Sequence, residues 1–540
     1  MVKEDVPGML RPDLAPHSLT CIAEVIDATP ATRQRLERIR VSGVELDSRL
    51  VQPGDLFVAL PGRTVHGAAH VPQAVELGAV AVLTDAAGAA MLVGSAVDVF
   101  VTTDVRKRLG QVASSVYHTG EGSPFRRGME ILAVTGTNGK TTVAHLIAAS
   151  LQANGVTTGL IGTIGIRVGE QYWPTQRTTP ESVHLHAALA AMAQMGVRAV
   201  ALEASSHALA EGRLDGLVVD VAGYTNLSQD HLDYHGSMEE YFQAKAKLFT
   251  PAHARLGVVG IDDDYGLRLA DQAAIATQTW SAGDDEHPSK SGADWRLVRA
   301  DTGQWQALGP AGSVQVLPMP LPGAFNRANV LCAYAMVRNL SSAAGITGQR
   351  AAEGLADAVV PGRMEPVVVS AAQTVQAVVD YAHSPEAIAR VLQALREQQI
   401  AAGQGRAFVK PGPLVALVGA GGNRDREKRP AMGEAAATWA DLVIVTDDNP
   451  RDENPASIRA AVMAGAEQVG AGAEVMEIAD RAEAIRVAVR QALPDGSIAI
   501  LGKGHERTQE VAGILHPFDD RTALADALRQ AFPNARGTSR

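Results

Sequence analysis

Cysteine is almost absent from this chain of 540 residues, which contains only Cys21 and Cys332. Because the two cysteines lie far apart in unrelated surroundings, the sequence predicts neither a disulfide framework nor a zinc site. A reducing compartment is the simpler interpretation, and the first residues lack the apolar core of a secretory signal. We therefore expect a cytoplasmic protein.

Long apolar runs and an excess of basic residues are also absent. The most apolar stretch, residues 78–103, is interrupted by charged and glycine residues at Asp85, Gly88, Gly94 and Asp98. This pattern predicts short strands and a short helix, so we expect no membrane insertion. The net charge of −11 argues against nucleic-acid binding, which requires clustered Lys and Arg. Any anionic substrate must therefore be held at local basic sites.

Aromatic residues make up only 4% of the chain, whereas glycine is frequent, with 52 residues. This composition favours closely packed α/β layers over a β-sandwich. A chain of 540 residues is also too long for a single hydrophobic core, and its length alone predicts two to four domains. The pattern along the chain separates three regions. We predict an α/β protein with three domains, which comprise residues 1–105, 106–361 and 362–540.

Strand candidates alternate with loops and helix candidates, and this alternation predicts mostly parallel sheets. The predicted strands cover residues 55–60, 79–83, 131–134, 198–202, 217–222, 375–379, 414–418, 442–446 and 497–501, and the predicted helices cover residues 71–77 and 141–153. In open parallel sheets, ligands bind outside the carboxyl ends of the strands. Polar clusters follow the strands of the third region at Asp380 and at residues 419–425, 447–451 and 502–506.

A glycine-rich loop follows the predicted strand 131–134. Residues 133–142 have the sequence AVTGTNGKTT, and the order of strand, turn and helix predicts a loop whose backbone N–H groups bind phosphate oxygens. Lys140 would reach the outer phosphates, and the Thr141 hydroxyl would ligate Mg²⁺. The spacing is irregular, because Val134 stands where the usual first glycine would be. The predicted ATP-binding residues of the loop are Gly136, Thr137, Asn138, Gly139, Lys140, Thr141 and Thr142.

Further candidate ligands follow the next strand. Glu203 stands at the end of the predicted strand 198–202, where a carboxylate can hold Mg²⁺ across from Thr141, although a solvated glutamate would give the same pattern. A polar loop with His231 comes next, and residues 237–240 fit a capping box. The helix that this box predicts carries two lysines, Lys245 and Lys247, which by themselves are typical of an exposed helix face.

Taken together, these motifs resemble the Mur ligase family, which builds the peptide of bacterial cell-wall precursors. The resemblance extends from about Leu46 to Arg521, with the motifs in the family's order. It implies an N-terminal domain that binds a uridine nucleotide (UDP-MurNAc), a central phosphate-loop ATPase domain and a C-terminal Rossmann-like domain that binds an amino acid. It also implies an ATP-dependent carbon–nitrogen ligase of peptidoglycan synthesis that forms ADP and phosphate.

The resemblance assigns the residues around ATP. Lys140, Glu203, His231 and Lys245 would be catalytic, and Mg²⁺ would be held by Thr141, Glu203, His231 and Lys245. Lys245 would be an N6-carboxylysine, a carbamate formed with CO2. The carbamate is physically reasonable, because a cationic lysine would be repelled by Mg²⁺ whereas an anionic oxygen would ligate it. The motifs LPGAFNRAN, PGRME and VDYAH would complete the ATP site through Asn326, Arg363 and Asp380.

The resemblance also implies a site for UDP-N-acetylmuramoyl-L-alanyl-D-glutamate, the dipeptide substrate. Its residues would be Leu46, Ser48, Thr178, Thr179, Ser205, Glu211 and Arg213. Glu211 differs from the glutamine that the family uses elsewhere at this position.

The segment from Asp448 to Arg451 indicates which amino acid is added. meso-Diaminopimelate differs from lysine by a carboxylate on its far carbon, and Arg451 and Arg424 offer bidentate recognition of that group. Lysine would leave such arginines unpaired, which costs several kcal/mol. Asp448 and Glu506 would meet the distal ammonium. The implied diaminopimelate site comprises Arg424, Asp448, Asn449, Pro450, Arg451, Gly502 and Glu506.

The expected reaction joins diaminopimelate to the D-glutamyl γ-carboxylate through an acyl phosphate, and we expect the enzyme to be a monomer. Three alternatives remain open at the level of sequence. The first is a lysine-adding ligase of the same family, although such relatives lack the equivalent of Arg451. The second is a folylpolyglutamate-synthase-like ligase, which would not explain residues 46–60. The third is a phosphate-loop switch without ligase chemistry, which would have no use for a carbamate on Lys245.

Overall fold

The computed structural model describes residues 9–533 except residues 63, 284–286, 341–344, 404–411, 424 and 471. It contains two compact units, Met1–Pro318 with Ala328–Ala358 and Met319–Arg327 with Val359–Arg540. Arg424 of the predicted diaminopimelate site lies outside the described residues. Cys21 and Cys332 are both free. Among the described helices, none is long and apolar enough to cross a membrane.

The N-terminal part of the first unit contains a small parallel sheet. Its elements are β1 (His17–Ser18), α1 (Pro30–Arg38), β2 (Arg40–Val41), β3 (Gly43–Glu45), β4 (Asp55–Ala59), α2 (Val71–Glu76), β5 (Ala81–Thr84), α3 (Ala86–Met91), β6 (Asp98–Val101) and α4 (Val105–Val116). Strands β3, β4, β5 and β6 pair in this order and run parallel, and β1 pairs with β2. β4 is buried along its whole length.

The rest of the first unit is built on an eleven-stranded sheet. Its elements are β7 (Glu130–Thr135), α5 (Lys140–Ala153), β8 (Thr158–Gly162), β9 (Gly165–Val168), β10 (Gln171–Trp173), α6 (Ser182–Gln194), β11 (Ala199–Glu203), α7 (Ser206–Ala210), β12 (Val219–Tyr224), α8 (Leu232–His235), α9 (Met238–Ala246), β13 (Ala254–Gly260), α10 (Asp264–Gln272), β14 (Ala276–Ser281), β15 (Trp295–Arg299), β16 (Trp305–Leu308), β17 (Val314–Val316), α11 (Ala324–Arg338) and α12 (Gly348–Ala356).

The centre of this sheet is parallel and buried. The strand order is β10-β9-β8-β11-β7-β12-β13-β14-β15-β16-β17, and the strands from β8 to β15 in this order are parallel. The antiparallel additions β9, β10, β16 and β17 lie at the two edges. β7 and β11 are buried almost completely, which explains their continuous apolar sequences, because a parallel sheet is covered on both faces.

The second unit contains a six-stranded sheet and a short hairpin. Its elements are β18 (Glu365–Pro366), β19 (Gln376–Asp380), α13 (Pro385–Gly403), β20 (Leu414–Val418), α14 (Lys428–Trp439), β21 (Leu442–Val445), α15 (Pro455–Gln468), β22 (Glu474–Glu477), α16 (Arg481–Ala492), β23 (Ser497–Leu501), β24 (Thr508–Val511), β25 (Ile514–Pro517) and α17 (Asp520–Ala531). The order is β18-β19-β23-β20-β21-β22, and only β18 is antiparallel.

Every strand predicted from the sequence is present. Strands 414–418 and 497–501 have the predicted bounds, whereas the strand predicted at 198–202 includes Glu203 and begins at Ala199. The helix predicted over 141–153 begins one residue earlier, at Lys140. Several strands of the eleven-stranded sheet were not predicted. They include the antiparallel strands β9, β10, β16 and β17 near the two edges, where short strands carry a weak apolar pattern, and also β8, β13, β14 and β15 of the parallel part. The α/β prediction is confirmed.

A buried ion pair joins the first turns of α16 and α17. The guanidinium of Arg481 donates to both oxygens of Asp520, at 2.7 and 2.8 Å, and to the Leu501 carbonyl at 3.0 Å. Both side chains of the pair are 0% exposed. The pair therefore fixes the two helices to the end of β23, and each charge depends on the other for its compensation.

We expect Arg481→Met to lower the free energy of unfolding by about 3–5 kcal/mol, because the Asp520 carboxylate would stay buried without its partner. Urea unfolding followed by circular dichroism measures this change. The matched control is Arg529→Met, which removes an ion pair with Asp526 whose side chains are 62% and 60% exposed, and it should cost less than about 1 kcal/mol. Equal effects of the two substitutions would contradict this account.

Candidate active site

The glycine-rich loop joins β7 to α5 and depends on glycine at two positions. Gly136 has a φ of +148° and Gly139 a φ of +92°, a region that residues with a Cβ rarely adopt. Space is restricted as well, because a Cβ on Gly136 would lie 1.9 Å from Thr225 Oγ1 and one on Gly139 would lie 2.3 Å from Asn329 Oδ1. The predicted loop is therefore a tight turn at a helix N-terminus, a geometry that favours phosphate binding.

Two lysine ammonium groups converge on one carbonyl of this loop. Lys140 Nζ donates to the Gly136 carbonyl at 3.0 Å and to the Thr137 carbonyl at 2.9 Å. Lys245 Nζ donates to the same Gly136 carbonyl at 2.8 Å and lies 4.4 Å from the centre of the Tyr241 ring. Lys245 is 1% exposed. Burial and the charge of Lys140 hold the pKa of Lys245 well below its usual value.

Thr141 and Glu203 are brought into contact by the pairing of β7 with β11. Thr141 Oγ1 donates to Glu203 Oε2 at 2.9 Å. Thr163, which follows β8, donates to the same carboxylate through its backbone N–H, at 2.8 Å, and its hydroxyl, at 2.9 Å. Glu203 is fully buried, so it is not the solvated glutamate that the sequence left open. Thr163 was missed, because nothing in the sequence indicates that β8 pairs with β11.

His231 lies near these groups in a cluster of aromatic rings. It has a φ of +54° immediately before α8, and its ring centre lies 4.8 Å from that of His207 and 6.3 Å from that of Tyr241. Burial lowers the pKa of His231 to about 4, with smaller contributions from the neighbouring His207 and Lys140 and against the opposing charge of Asp230. The imidazole is therefore neutral at physiological pH, as a metal ligand must be.

These residues fit a magnesium ion if Lys245 is modified. No group of three or more His, Cys, Asp or Glu residues that could hold a metal is found in the described part of the chain. The predicted set instead combines the paired Thr141 hydroxyl and Glu203 carboxylate with the neutral imidazole of His231. Hydroxyl and carboxylate oxygens suit Mg²⁺. An unmodified Lys245 ammonium cannot serve as the fourth ligand, because it carries no free electron pair.

Four residues of the predicted dipeptide site form one network around the end of β11. Thr179 Oγ1 donates to the Glu203 carbonyl at 2.7 Å and accepts from the Ser205 backbone N–H at 3.0 Å. Arg213 donates to the Thr179 carbonyl at 3.0 Å. The Thr178 hydroxyl lies 3.0 Å from the Thr163 hydroxyl. The network therefore joins the predicted dipeptide residues to the carboxylate that contacts Thr141.

Glu211 is an acceptor for several donors in this network. It accepts from Arg213 Nε and Nη2 at 3.0 and 2.6 Å, from Arg106 at 3.3 Å and from the Tyr234 hydroxyl at 3.3 Å. Arg106 also contacts Glu181, at 3.0 Å. Position 211 has a carboxylate where the family elsewhere uses an amide, and two arginines compensate the negative charge of this carboxylate. Arg106 and Glu181 were missed by the sequence analysis, because they belong to no local motif.

Leu46 and Ser48 lie in the turn after β3. The Ser48 hydroxyl donates to Gln73 Oε1 at 2.7 Å, and the Leu46 backbone N–H donates to Glu45 Oε1 at 2.7 Å. Glu45 is fully buried, and its Oε1 lies 3.2 Å from Nε2 of His184 on α6. The predicted uridine pocket is thus connected to α6 through a contact that the sequence does not indicate.

In the second unit, Arg363 and Asp380 lie together at the carboxyl end of β19. Both oxygens of the buried Asp380 accept backbone N–H groups, from Met364 at 2.6 Å and from Ala382 at 2.7 Å. Burial raises the pKa of Asp380. The Arg363 guanidinium lies 4.4 Å from the centre of the Tyr381 ring.

Asn326, also in the second unit, is buried, and its amide donates to the Pro322 carbonyl at 2.7 Å. The roles of Asn326, Arg363 and Asp380 toward ATP stay predictions.

The other predicted amino-acid-binding residues lie at the carboxyl ends of β21 and β23 in the second unit. Arg451 has a φ of +51° and donates to the Gly422 carbonyl at 2.6 Å and to Glu510 Oε2 at 3.2 Å. Glu510, on the hairpin, was missed by the sequence analysis. Gly502 has a φ of +112°, and a Cβ there would lie 2.5 Å from Asp448 Oδ2.

Asn449 donates to Glu506 Oε2 at 2.7 Å, so the segment from Asp448 to Arg451 contacts the segment from Gly502 to Glu506. The described residues of the predicted amino-acid site therefore lie close together.

A tight glycine turn at a helix N-terminus next to a buried carboxylate, in an α/β fold built on parallel sheets, is typical of nucleotide-dependent enzymes. Comparison with family models gives three matches along the chain. The Mur ligase family catalytic domain matches residues 40–117, the Mur ligase middle domain matches residues 134–337, and the Mur ligase glutamate ligase domain matches residues 362–504.

Individual relatives match over almost the whole chain. The UDP-N-acetylmuramoyl-L-alanyl-D-glutamate–2,6-diaminopimelate ligase of Streptomyces coelicolor is 45% identical over 91% of this chain and 93% of its own. The ligase of the same name from Streptomyces avermitilis is 44% identical over 97% of this chain and 99% of its own. A solved structure of a ligase of that name is 32% identical, with a TM-score of 0.63, over 96% of this chain and 99% of its own.

The chain belongs to the Mur ligase family and is an ATP-dependent ligase. The three family models and the three main sheets confirm the predicted three-domain α/β architecture. The predicted boundaries at residues 105 and 361 stay predictions, as do the roles of the individual site residues.

We expect Gly136→Ala to reduce ATP turnover by at least about 100-fold, because relieving the contact with Thr225 must displace the loop by a distance of the order of 1 Å. A coupled assay for ADP release measures the effect. Gly155→Ala is the matched control, since Gly155 also has a positive φ, +75°, but a Cβ there meets nothing within 4 Å. It should leave turnover within about twofold and cost about 1 kcal/mol of stability. Normal turnover in Gly136→Ala would contradict the assignment of the loop.

Proposed function

We propose that the protein adds meso-2,6-diaminopimelate to the D-glutamyl γ-carboxylate of UDP-N-acetylmuramoyl-L-alanyl-D-glutamate, in cytoplasmic peptidoglycan precursor synthesis. The observation that carries this proposal is the position of Arg451, whose guanidinium is held by the Gly422 carbonyl and Glu510 beside Asp448 and Asn449. The names of the relatives that match over more than nine tenths of the chain support the same substrates.

The proposed chemistry has two steps. The γ-carboxylate of the dipeptide attacks the γ-phosphorus of ATP, so that an acyl phosphate forms and ADP leaves. The neutral amine of diaminopimelate then attacks the acyl carbon, phosphate leaves with the bonding pair, and the amine proton is released as the amide forms. The protein contributes mainly by positioning the reactants and by offsetting charge. Lys140, at the start of α5, is the residue whose ammonium would offset the outer phosphates of ATP.

Thr141, Glu203, His231 and the carbamate of Lys245 are the residues that would hold Mg²⁺. When bound, the ion supplies charge neutralisation for the phosphate oxygens. Before the ion binds, the Glu203 carboxylate is held by hydroxyl and backbone donors of Thr141 and Thr163, so its orientation is fixed in advance.

The crowding of charge around Gly136 supports a carbamate on Lys245. The ammonium groups of Lys140 and Lys245 donate to one carbonyl oxygen, at 3.0 and 2.8 Å, and they repel each other. Addition of the neutral Lys245 amine to CO2, with loss of one proton, replaces a positive charge with a negative one. Burial favours the neutral amine that this addition requires. The product would form an ion pair with Lys140 and would offer an oxygen ligand to Mg²⁺.

The carbamate predicts a distinct signal in carbon-13 NMR. With carbon-13 bicarbonate, we expect a carbamate resonance in the wild type that is absent from Lys245→Arg, together with at least about a 100-fold loss of ligase turnover, since an essential charge and ligand is removed. Lys247→Arg is the matched control, because Lys247 is an exposed lysine two positions further along the chain, and it should retain both the resonance and the turnover. A wild type without the resonance, or a Lys245→Arg variant that keeps it, would contradict the modification.

The site also accounts for a choice of diaminopimelate over lysine. The far carboxylate of diaminopimelate would meet Arg451, whereas Asp448 and Glu506 would meet the ammonium on the same carbon. Lysine has no carboxylate at that carbon, so it would leave the Arg451 guanidinium paired with Glu510 alone and without the second, bidentate partner that diaminopimelate would bring. The loss of two hydrogen bonds between charged groups costs about 3 kcal/mol, which corresponds to a selectivity of at least about 100-fold.

We therefore expect ATP turnover that requires the UDP-muramoyl dipeptide and is at least about 100-fold more efficient, in kcat/KM, with meso-diaminopimelate than with lysine. Arg451→Ala should lose most of this preference, whereas Arg490→Ala should keep it, because Arg490 is exposed on α16. ADP release and the mass of the product measure both effects. Formation of product with lysine but not with diaminopimelate would favour a lysine-adding ligase. ATP hydrolysis without the dipeptide would favour a phosphate-loop switch.

A further inference from the structure

A buried lysine lies next to the residues of the amino-acid site. Lys503 follows β23 and is 0% exposed. Its Nζ donates to Asn449 Oδ1 at 2.9 Å and to Glu506 Oε2 at 3.0 Å. Lys503 itself has no surface that a substrate could touch, but both of its partners belong to the proposed diaminopimelate site.

The contacts of Lys503 determine which way the Asn449 amide points. Asn449 Oδ1 accepts hydrogen bonds from two groups that can only donate, the Lys503 ammonium at 2.9 Å and the Glu510 backbone N–H at 3.0 Å. The oxygen of the amide must therefore face these donors. The amide nitrogen is then left to donate to Glu506 Oε2, at 2.7 Å. Without the Lys503 ammonium, only the Glu510 backbone N–H would hold the Asn449 oxygen in this orientation.

The same ammonium compensates part of the negative charge of the site. Glu506 Oε2 accepts hydrogen bonds from both Lys503 and Asn449, while the Glu506 side chain remains 31% exposed. The carboxylate is thus held through one oxygen and is still accessible. Both hydrogen bonds go to a charged carboxylate, and the contact with Lys503 adds the attraction of opposite charges, so the two contacts together restrict the Glu506 rotamer.

We propose that Lys503 is a positioning residue for the amino-acid substrate, which fixes the Asn449 amide and the Glu506 carboxylate in the orientation that receives the distal ammonium. This inference rests on the proposed function, because it takes Asn449 and Glu506 as substrate contacts. Lys503 would act before substrate arrives, and it would favour substrate binding by removing alternative arrangements of the two side chains.

Lys503→Met tests the proposal, because it removes the ammonium and keeps a side chain of similar length. We expect the KM for meso-diaminopimelate to rise at least about 10-fold, while the KM values for ATP and the dipeptide stay within about twofold and kcat within about threefold. Lys503→Gln keeps a donor without a charge and should give an intermediate KM. If the methionine variant fails to fold, the glutamine variant alone decides, and an unchanged KM for diaminopimelate overturns the proposal.

Arg396→Met is the control for a general loss of stability. Arg396 belongs to the same unit and pairs with Asp441 at 2.9 Å, immediately before β21, whereas Asn449 follows the carboxyl end of that strand. Its loss should leave the KM for diaminopimelate unchanged. If Lys503→Met changes all three KM values together, Lys503 has only a structural role and the proposal is wrong.

A double-mutant cycle distinguishes action through Glu506 from an independent effect. We expect the increase in the KM for diaminopimelate in the double variant Lys503→Met with Glu506→Gln to be smaller than the product of the two single increases, because part of the effect of the lysine acts through the carboxylate and the rest through Asn449. If the increase in the KM of the double variant equals the product of the two single increases, the proposal is overturned. A wild type that does not use diaminopimelate would instead contradict the proposed function, and the cycle would then be measured with the amino acid that the wild type accepts.

Discussion

The parallel pairing of β7 with β11 is the constraint on which the phosphate site depends. In this register Glu203 lies opposite Val134, two residues before the glycine turn. The carboxylate consequently comes within 2.9 Å of the Thr141 hydroxyl at the start of α5. Because side chains alternate between the two faces of a sheet, a shift by one residue would turn Glu203 away from Thr141. The irregular position in the loop, Val134, is thus a buried strand residue that lies opposite Glu203.

Local motifs allowed the fold and much of the site to be predicted from the sequence. Buried parallel strands give continuous apolar runs, and ligand residues follow them at their carboxyl ends, so the positions of Glu203 and of the segment after β21 follow from the chain's pattern alone. Residues such as Thr163, Arg106 and Glu510 could not be found in this way. They reach the site only because distant segments pair or pack, and an isolated threonine or arginine carries no pattern of its own.

Local basic groups offset an acidic chain, as the composition led us to expect. The net charge is −11, yet each proposed anion-binding region in the described residues contains buried or partly buried cations. In the dipeptide region, Arg213 and Arg106 hold Glu211. In the amino-acid region, Arg451 contacts Glu510. These cations are oriented by acidic neighbours. The ion pairs hold the guanidinium groups in place, and they also offset part of the positive charge of these groups.

The two buried lysines show how the surroundings of an amine determine its chemistry. Lys503 donates to a carboxylate and an amide oxygen, which compensate its positive charge. Lys245 donates to a backbone carbonyl that it shares with the ammonium of Lys140, so its positive charge is opposed and its pKa falls. Addition to CO2 requires the neutral amine, and it exchanges repulsion by Lys140 for attraction. The same residue type therefore serves as a fixed cation in one unit, whereas in the other it is suited to become an anion.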